Sequence, residues 1–507
     1  MMLMMSSCSL GAFDEILNVP QTPNTRLAFG SCFSFFHNDN DNDYQGKIFQ
    51  SIEQLEPAAW LWIGDLSYIG GNHTHGYDRM AEYPPYTSLI SKTPAHGVWD
   101  DHDYGKNDAG KHLPEKASRL ESFLDFLQVD PASPRRQSRS GAYHSLRVGR
   151  FSIIFLDTRY NRDNHFVPSV GGFKFPFAAV FAALSRFCVA GLKLGQDFAG
   201  EVLGAEQWDW FAEQIEFANN DESIEHTIIV SSIQILTQNP FVESWGHFPR
   251  EKEKLLRYLQ ASKTKHLLLL SGDVHHAEFS TTINSNNLLE ITSSGMTHTC
   301  TEPFYGFVCE GMLKSFAANR FEPQSYSTKK NFGLIEETAD NNLAVSIRDI
   351  HGKRLLSSSI VGSGRDILGA QEPDVFFSGF LFQFLLPLFL CTLLLLPLLL
   401  SKKRSKPGPK TLPREGRKSL RLQGLDPEGE SEEECAARAL EMRLRVTNDL
   451  TKAGIDLTEM ETQLKSALPH CMMQIRTMSE KALNTRINRI EKAAGKFCIV
   501  KMAEENM

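Results

Sequence analysis

The chain has 507 residues, 41% hydrophobic and 22% charged, with a formal net charge of −8. That length accommodates one large domain, or two, plus appendages. Mild acidity without a basic face argues against nucleic acid as a standing partner.

The first 23 residues begin MMLMMSSCSLGAF, an apolar start of five residues with no basic flank. This is too short for a secretory leader, so the beginning of the chain is expected to be incomplete. Residues 24–365 are expected to form one catalytic unit, because short apolar runs alternate with amphipathic helices throughout. RLAFG runs into Ser31 and Cys32, AAWLWIG into Asp65, and PAHGVW into Asp100 and Asp101. FSIIFL runs into Asp157 and Arg159, TIIV into Ser231 and Ser232, and HLLLLSG into Asp273, His275 and His276. Runs of this length and composition read as strands buried on both faces, and ligands in α/β proteins gather beyond the carboxyl ends of such strands. One edge of one sheet is therefore expected to collect the chemistry.

Asp65, Asp100, Asp101, Asp103, Asp157 and Asp273 all fall at or just past those strand ends. Carboxylates so close together stay ionised only if cations compensate them. A thiolate from Cys32, a phenol from Tyr68 and an imidazole from His275 beside hard Asp oxygens suggest a transition metal next to a harder divalent ion. Arg159 and Arg162 in LDTRYNR offer guanidinium forks for phosphate oxygens or for the loop aspartates.

Leu120, Phe123, Leu124 and Leu127 repeat at helical spacing, as do Trp208, Phe211, Ala212 and Ile215. Between them, residues 163–200 form a Phe-, Ala- and Gly-rich insertion with no evident strand partners, either a flap on a membrane or a foreign stretch. NFGLIEE, LAVSIRD and LLSSSIV predict an antiparallel meander. Cys300 and Cys309 are a close pair able to bridge a loop. Residues 375–400 carry no charge and are long enough to cross a bilayer as one helix. Lys402, Lys403, Arg404 and Lys406 follow at once, which places the tail in the cytoplasm and the preceding domain outside or in a lumen. A charged linker (401–435) and a helical cytoplasmic tail (436–507) complete the chain.

Taken together, AFGSCF, GDLSY, WDDHDYGKND, LDTR, LGAEQWDWF, SGDVHH and EITSSG resemble, in order and spacing, the PhoD-like alkaline phosphatases, a branch of the calcineurin-like metallophosphoesterases. The resemblance covers roughly residues 25–360. It departs from the family's pattern at Leu66, Ile69, Asp103 and Lys106. It implies an α/β fold, a four-layer αββα sandwich, with Fe3+ and Ca2+ at the strand ends. Cys32, Asp65, Tyr68 and His275 would then look like iron ligands, and Asp65, Asn107 and Asp273 like those that bridge to or hold calcium. Arg159 would match a phosphate-contacting arginine, and His102 and His276 are the candidate acids for the leaving alkoxide. The expected activity is hydrolysis of phosphate monoesters, diesters or both by metal-activated in-line attack. The rival is a membrane-anchored ectodomain that keeps the fold without activity and serves as receptor or scaffold.

Overall fold

The structure, a computed structural model of the chain, describes residues 13–360 apart from 20–23, 36–43, 69–72, 174–177, 283–287, 303–305, 317–319 and 323. The expected span (375–400), linker and tail lie outside the described residues. Among the described residues no helix is long and apolar enough to cross a membrane.

Among the described residues, fourteen strands build two sheets. They are β1 (Glu15–Leu17), β2 (Arg26–Gly30), β3 (Ala59–Ile63), β4 (Ala95–Val98), β5 (His144–Val148), β6 (Phe151–Leu156) and β7 (His226–Ser231). The remainder are β8 (His266–Ser271), β9 (Ala277–Thr281), β10 (Leu289–Ser293), β11 (Tyr326–Ser327), β12 (Phe332–Glu337), β13 (Leu343–Arg348) and β14 (Arg354–Ile360). The eight-stranded sheet runs β1-β5-β6-β7-β8-β10-β9-β11, and the six-stranded sheet β14-β13-β12-β2-β3-β4.

Chemistry-bearing strand ends are thus shared between two sheets, three from each, and not lined along one edge of one sheet. In the six-stranded sheet β2, β3 and β4 are parallel, with Gly30 opposite Trp62 and Ile63 opposite Val98. In the eight-stranded sheet β6, β7 and β8 are parallel, with Leu156 opposite Ser231. Parallel neighbours in register bring their carboxyl ends to the same level. The meander β12-β13-β14 attaches to β2 through antiparallel β12.

Strand periodicity sets the layers. Phe151, Ile153 and Phe155 of β6 join Ile228, Val230, Leu268 and Leu270 in one core with Leu27, Phe29 and Leu61 of the other sheet. The alternate residues Ile154 and Leu156, with Ile229 and Leu269, pack against Trp208, Phe211 and Ile215 of helix Ala205–Asn220 and Leu255 and Leu259 of helix Pro249–Gln260. Beside the six-stranded sheet, Trp62 meets Phe49 of helix Tyr44–Glu53 and donates to Tyr86 Oη of helix Pro84–Ile90 at 3.2 Å. Each fully buried large side chain contributes about 1.5–3 kcal/mol, so the strands tolerate the strained turns that follow them.

The insertion packs on the domain itself. In helix Ala178–Gly191, Phe187 stacks on Phe241 with ring centroids 4.4 Å apart, and Arg186 pairs with Asp108 at 3.1 Å. Its apolar residues are spent covering the loops beyond the strand ends.

Candidate metal centre

Backbone geometry marks the centre before any side chain is considered. Of the ten non-glycine residues with positive φ among the described residues, four are Cys32 (61°), Asp65 (48°), Asp273 (68°) and His275 (57°). Left-handed backbone is costly for such residues and persists where the surroundings enforce it, typically at functional sites. Each GD turn depends on its glycine. Gly64 has φ 111°, and a Cβ there would come 2.8 Å from Asp100 Cβ; at Gly272 a Cβ would come 2.5 Å from Ser31 Oγ. The two turns press against the strand ends opposite.

Around Asp65 three donor groups meet: one joins it to Asp101 and His102, and the other two differ in character. The first is soft: ligand atoms of Cys32, Asp65 and His275 lie within 4.8 Å of one another. Cys32 Sγ is 3.7 Å from Asp65 Oδ2, and Tyr68 Oη is 2.9 Å from both Asp65 Oδ2 and His275 Nε2. The second is hard: Asp65, Asp100, Asp101 and Asp273 bring carboxylate oxygens within the same 4.8 Å. Asp65 belongs to both groups, with Oδ1 accepting from the His102 backbone N–H at 3.2 Å.

Electrostatics explain why this set requires a cation. Burial, then the charges of Asp101 and Asp100, pushes the Asp65 carboxyl well above the usual carboxylate range. Burial and the Asp65 charge likewise push up the Cys32 thiol and the Tyr68 phenol. Asp100 Oδ2 and Asp101 Oδ1 are buried with no hydrogen-bond partner. Acids that hold one another protonated, and acceptors left idle in the interior, are the state that a bound cation relieves. The donor set fits the implied pair of metals: thiol, phenol and imidazole on one side, carboxylates on the other.

Not every strand-end aspartate serves this cluster. Asp103 accepts from Leu66 N at 3.1 Å, Ser67 N at 2.9 Å and Asp100 N at 3.2 Å, clamping the GDLSY turn onto the WDDHD helix. Asp157 accepts from Ala142, Arg159 and Tyr160 backbone N–H groups. Its own backbone is gripped by Gln207 of the LGAEQW motif, through N to Oε1 at 2.8 Å and O to Nε2 at 2.9 Å. Both aspartates hold turns.

Arg159 is fully enclosed. Its Nε donates to Asp100 Oδ1 at 2.5 Å and its Nη1 to Glu243 Oε2 at 2.9 Å, while Nη2 is 3.9 Å from Asp101 Oδ2. Arg162 also pairs with Glu243 and donates to Asp108 O at 2.6 Å. Asn107 Nδ2 lies against the insertion, 2.5 Å from where a Cβ on Gly171 would sit.

The three histidines separate. His275 is in the soft group, and its backbone N–H donates to Ser294 Oγ at 2.7 Å. His102 packs against the Tyr68 ring, tilted 33°, at 4.1 Å between centroids, and its side chain is 32% exposed, so it stands at the rim. His276, expected as an acid, is turned elsewhere: its Nδ1 meets Val274 O at 3.0 Å and its Nε2 is 3.6 Å from Glu278 Oε1, beside the Arg320–Glu278 pair. The backbone accounts for this: His275 sits in the left-handed region (φ 57°) just before β9, so the chain turns between the two side chains.

Two contributors carried no sequence signal that was used. His298 packs edge-on to Tyr68 at 4.8 Å and to His275 at 4.4 Å, three residues past EITSSG. Glu243 sits in a loop without a strand in front of it, and binds Arg159, Arg162 and, at 3.3 Å, His165.

The model of the family described as PhoD-like phosphatase matches residues 72–346. Alkaline phosphatase D of Bacillus subtilis (strain 168) is 24% identical over 295 residues, covering 51% of this chain and 46% of the relative. The chain thus spans about half the length of that curated relative. Among solved structures, one titled as the structure of PhoD is similar at 16% identity and TM-score 0.44, over 70% of this chain and 75% of that one. A dimetal phosphatase from Danio rerio is similar at 12% identity and TM-score 0.38, over 67% of this chain and 100% of that one. At these TM-scores the likenesses carry no argument, and Cys32, Asp65 and Tyr68 precede the matched stretch and are placed by the structure alone. The matched stretch is 275 of the 507 residues (346 − 72 + 1), and this chain belongs to the PhoD-like phosphatase family.

Proposed function

We propose that this protein is a metal-dependent phosphoesterase of the alkaline phosphatase D type, hydrolysing phosphate monoesters, diesters or both. The observation that carries the reading is Asp65, held in a strained backbone and shared between a soft donor group and a hard one. Cys32, Asp65, Tyr68 and His275 would hold Fe3+, and Asp65 and Asp273, with Asp100 and Asp101 beside them, would hold Ca2+; Asn107, whose amide lies against the insertion, would join them only by turning toward the cation. When bound, such cations neutralise phosphate oxygens and acidify the attacking water. His102, packed against Tyr68 at the rim, would hand a proton to the departing alkoxide. His298 orients Tyr68 and His275 by packing against both rings. Arg159 fixes Asp100 and so keeps the hard group in shape.

The test is turnover of p-nitrophenyl phosphate and its bis ester by the full chain, with and without a chelator. Turnover that a chelator abolishes and added metal restores is expected, with Tyr68→Phe removing the visible charge-transfer band that phenolate gives on ferric iron. Absent or chelator-insensitive turnover would return the inactive ectodomain, and the ratio of the two rates assigns monoester or diester preference.

We also propose that residues 375–400 anchor the protein by a single pass, with the catalytic domain outside the cell or in a lumen. Support comes from the uncharged stretch, the four basic residues after it, and the disulfide between Cys300 and Cys309, a bond that persists in oxidising compartments. Protease added to sealed vesicles that expose the cytoplasmic face should remove the tail and spare the domain. Digestion of the domain with protection of the tail is the outcome that sinks this orientation.

A further inference from the structure

Away from the strand ends that form the cluster, the open edges of the two sheets meet around three side chains that phosphoester chemistry leaves unused. Glu15 is on β1 and His144 on β5 of the eight-stranded sheet, while His96 is on β4 of the six-stranded one. One ring nitrogen of each histidine and one Glu15 carboxylate oxygen lie within 4.8 Å of one another. His144 is fully buried and His96 is 6% exposed.

Two nitrogens carry the argument. His144 Nδ1 donates to Ala142 O at 3.2 Å, which leaves Nε2 as the lone-pair nitrogen, and that atom is buried without a partner. His96 Nδ1 is 3.0 Å from Glu15 Oε2, and its Nε2 is also buried without a partner. Buried polar atoms in folded proteins are normally satisfied. The ion pair of Arg135 with Glu15 Oε1 at 2.5 Å accounts for the carboxylate but for neither nitrogen.

We propose that Glu15, His96 and His144 form a second metal site, for a divalent cation of the zinc class, which staples the edge of one sheet to the edge of the other. Two imidazoles and one carboxylate with an open position for water are a donor set that suits Zn2+. Its outer contacts are already in place. The Ala142 carbonyl fixes the His144 tautomer, and Arg135 occupies the distal Glu15 oxygen, leaving Oε2 for the cation. The Arg135 guanidinium works against the cation and limits its affinity.

The test uses the full chain with the phosphatase cluster disabled by Asp65→Asn and Asp273→Asn, loaded with Co2+ or Zn2+. One equivalent of metal should remain bound, with the visible spectrum of tetrahedral Co2+. Zinc at a hundred times its Kd should raise Tm by about 3 °C or more. Adding His144→Gln should remove the equivalent, the spectrum and the shift together, with circular dichroism unchanged. His96→Gln and Glu15→Gln provide the same comparison if His144→Gln does not fold. A cluster-disabled protein that retains no metal, or a Co2+ spectrum indifferent to these three substitutions, overturns the proposal.

Discussion

Asp65→Asn is expected to lower kcat/KM for p-nitrophenyl phosphate by about 10³-fold, or ~4 kcal/mol of transition-state stabilisation, and yet to raise the melting temperature of the chelated protein. The first effect follows from position, because Asp65 is the one carboxylate common to the soft and hard donor groups. The second follows from charge. Burial and four neighbouring aspartates, Asp101, Asp100, Asp103 and Asp273, push the Asp65 carboxyl upward, and burial pushes Asp103 up to about 8. An acid whose folded pKa exceeds its unfolded value makes the native state bind the extra proton. The contribution of these site acids to the stability of metal-free protein is therefore fully present in acid and is lost as pH climbs from about 4 through each folded pKa. Asparagine keeps an oxygen for the His102 N–H but carries no charge, so it should flatten that decline. With metal saturating, the order reverses, since only wild type gains the full binding free energy. Melting curves of both proteins from pH 5 to pH 9, with and without chelator, check both signs. A chelated variant that melts below chelated wild type at pH 8 would mean that Asp65 is compensated without a cation.

The strands that carry the site are legible in the sequence because apolar runs stop at residues too polar to continue them. RLAFG, AWLWI and HLLLLS are β2, β3 and β8 within a residue or two, and the LxxFL and WxxF spacings are helices at Lys116–Phe126 and Ala205–Asn220. What such runs do not encode is which sheet each strand joins, since a strand buried on both faces reads the same in either. Pairing preferences come from register and crossover geometry, and these depend on residues far apart in the chain. Side-chain identity also hides purpose. Asp103 and Asp157 look like Asp65 in sequence, but their oxygens are consumed by backbone N–H groups of turns that exist only once the chain has folded. His275 and His276 are adjacent, and the left-handed backbone at His275 turns one to the metal donors and the other to Glu278. Glu243 is unreadable for the opposite reason: its partners, the guanidinium groups of Arg159 and Arg162 and the imidazole of His165, come from another loop.

Arg159→Ala is expected to destabilise the chelated protein by about 3–5 kcal/mol and the metal-loaded protein by markedly less. Arg159 is fully enclosed, and its removal leaves Asp100 with Ser232 Oγ, at 2.8 Å, as its remaining side-chain hydrogen-bond donor. Glu243 keeps Arg162 and His165, so the uncompensated charge resides on Asp100. A cation bound by the neighbouring carboxylates would offset that charge, which is why the penalty should shrink on metal loading. This reading makes Arg159 a positioning residue, because a guanidinium without solvent exposure and with two nitrogens engaged has no face to offer a substrate. Arg159→Lys separates the roles. Lysine keeps the charge but lacks the fork that spans Asp100 and Glu243, so melting temperature and kcat should fall while the inhibition constant of inorganic phosphate stays within about twofold. An inhibition constant raised tenfold, with melting unchanged, would instead put the guanidinium on the phosphate and require the loops around Asp100 to open when substrate binds.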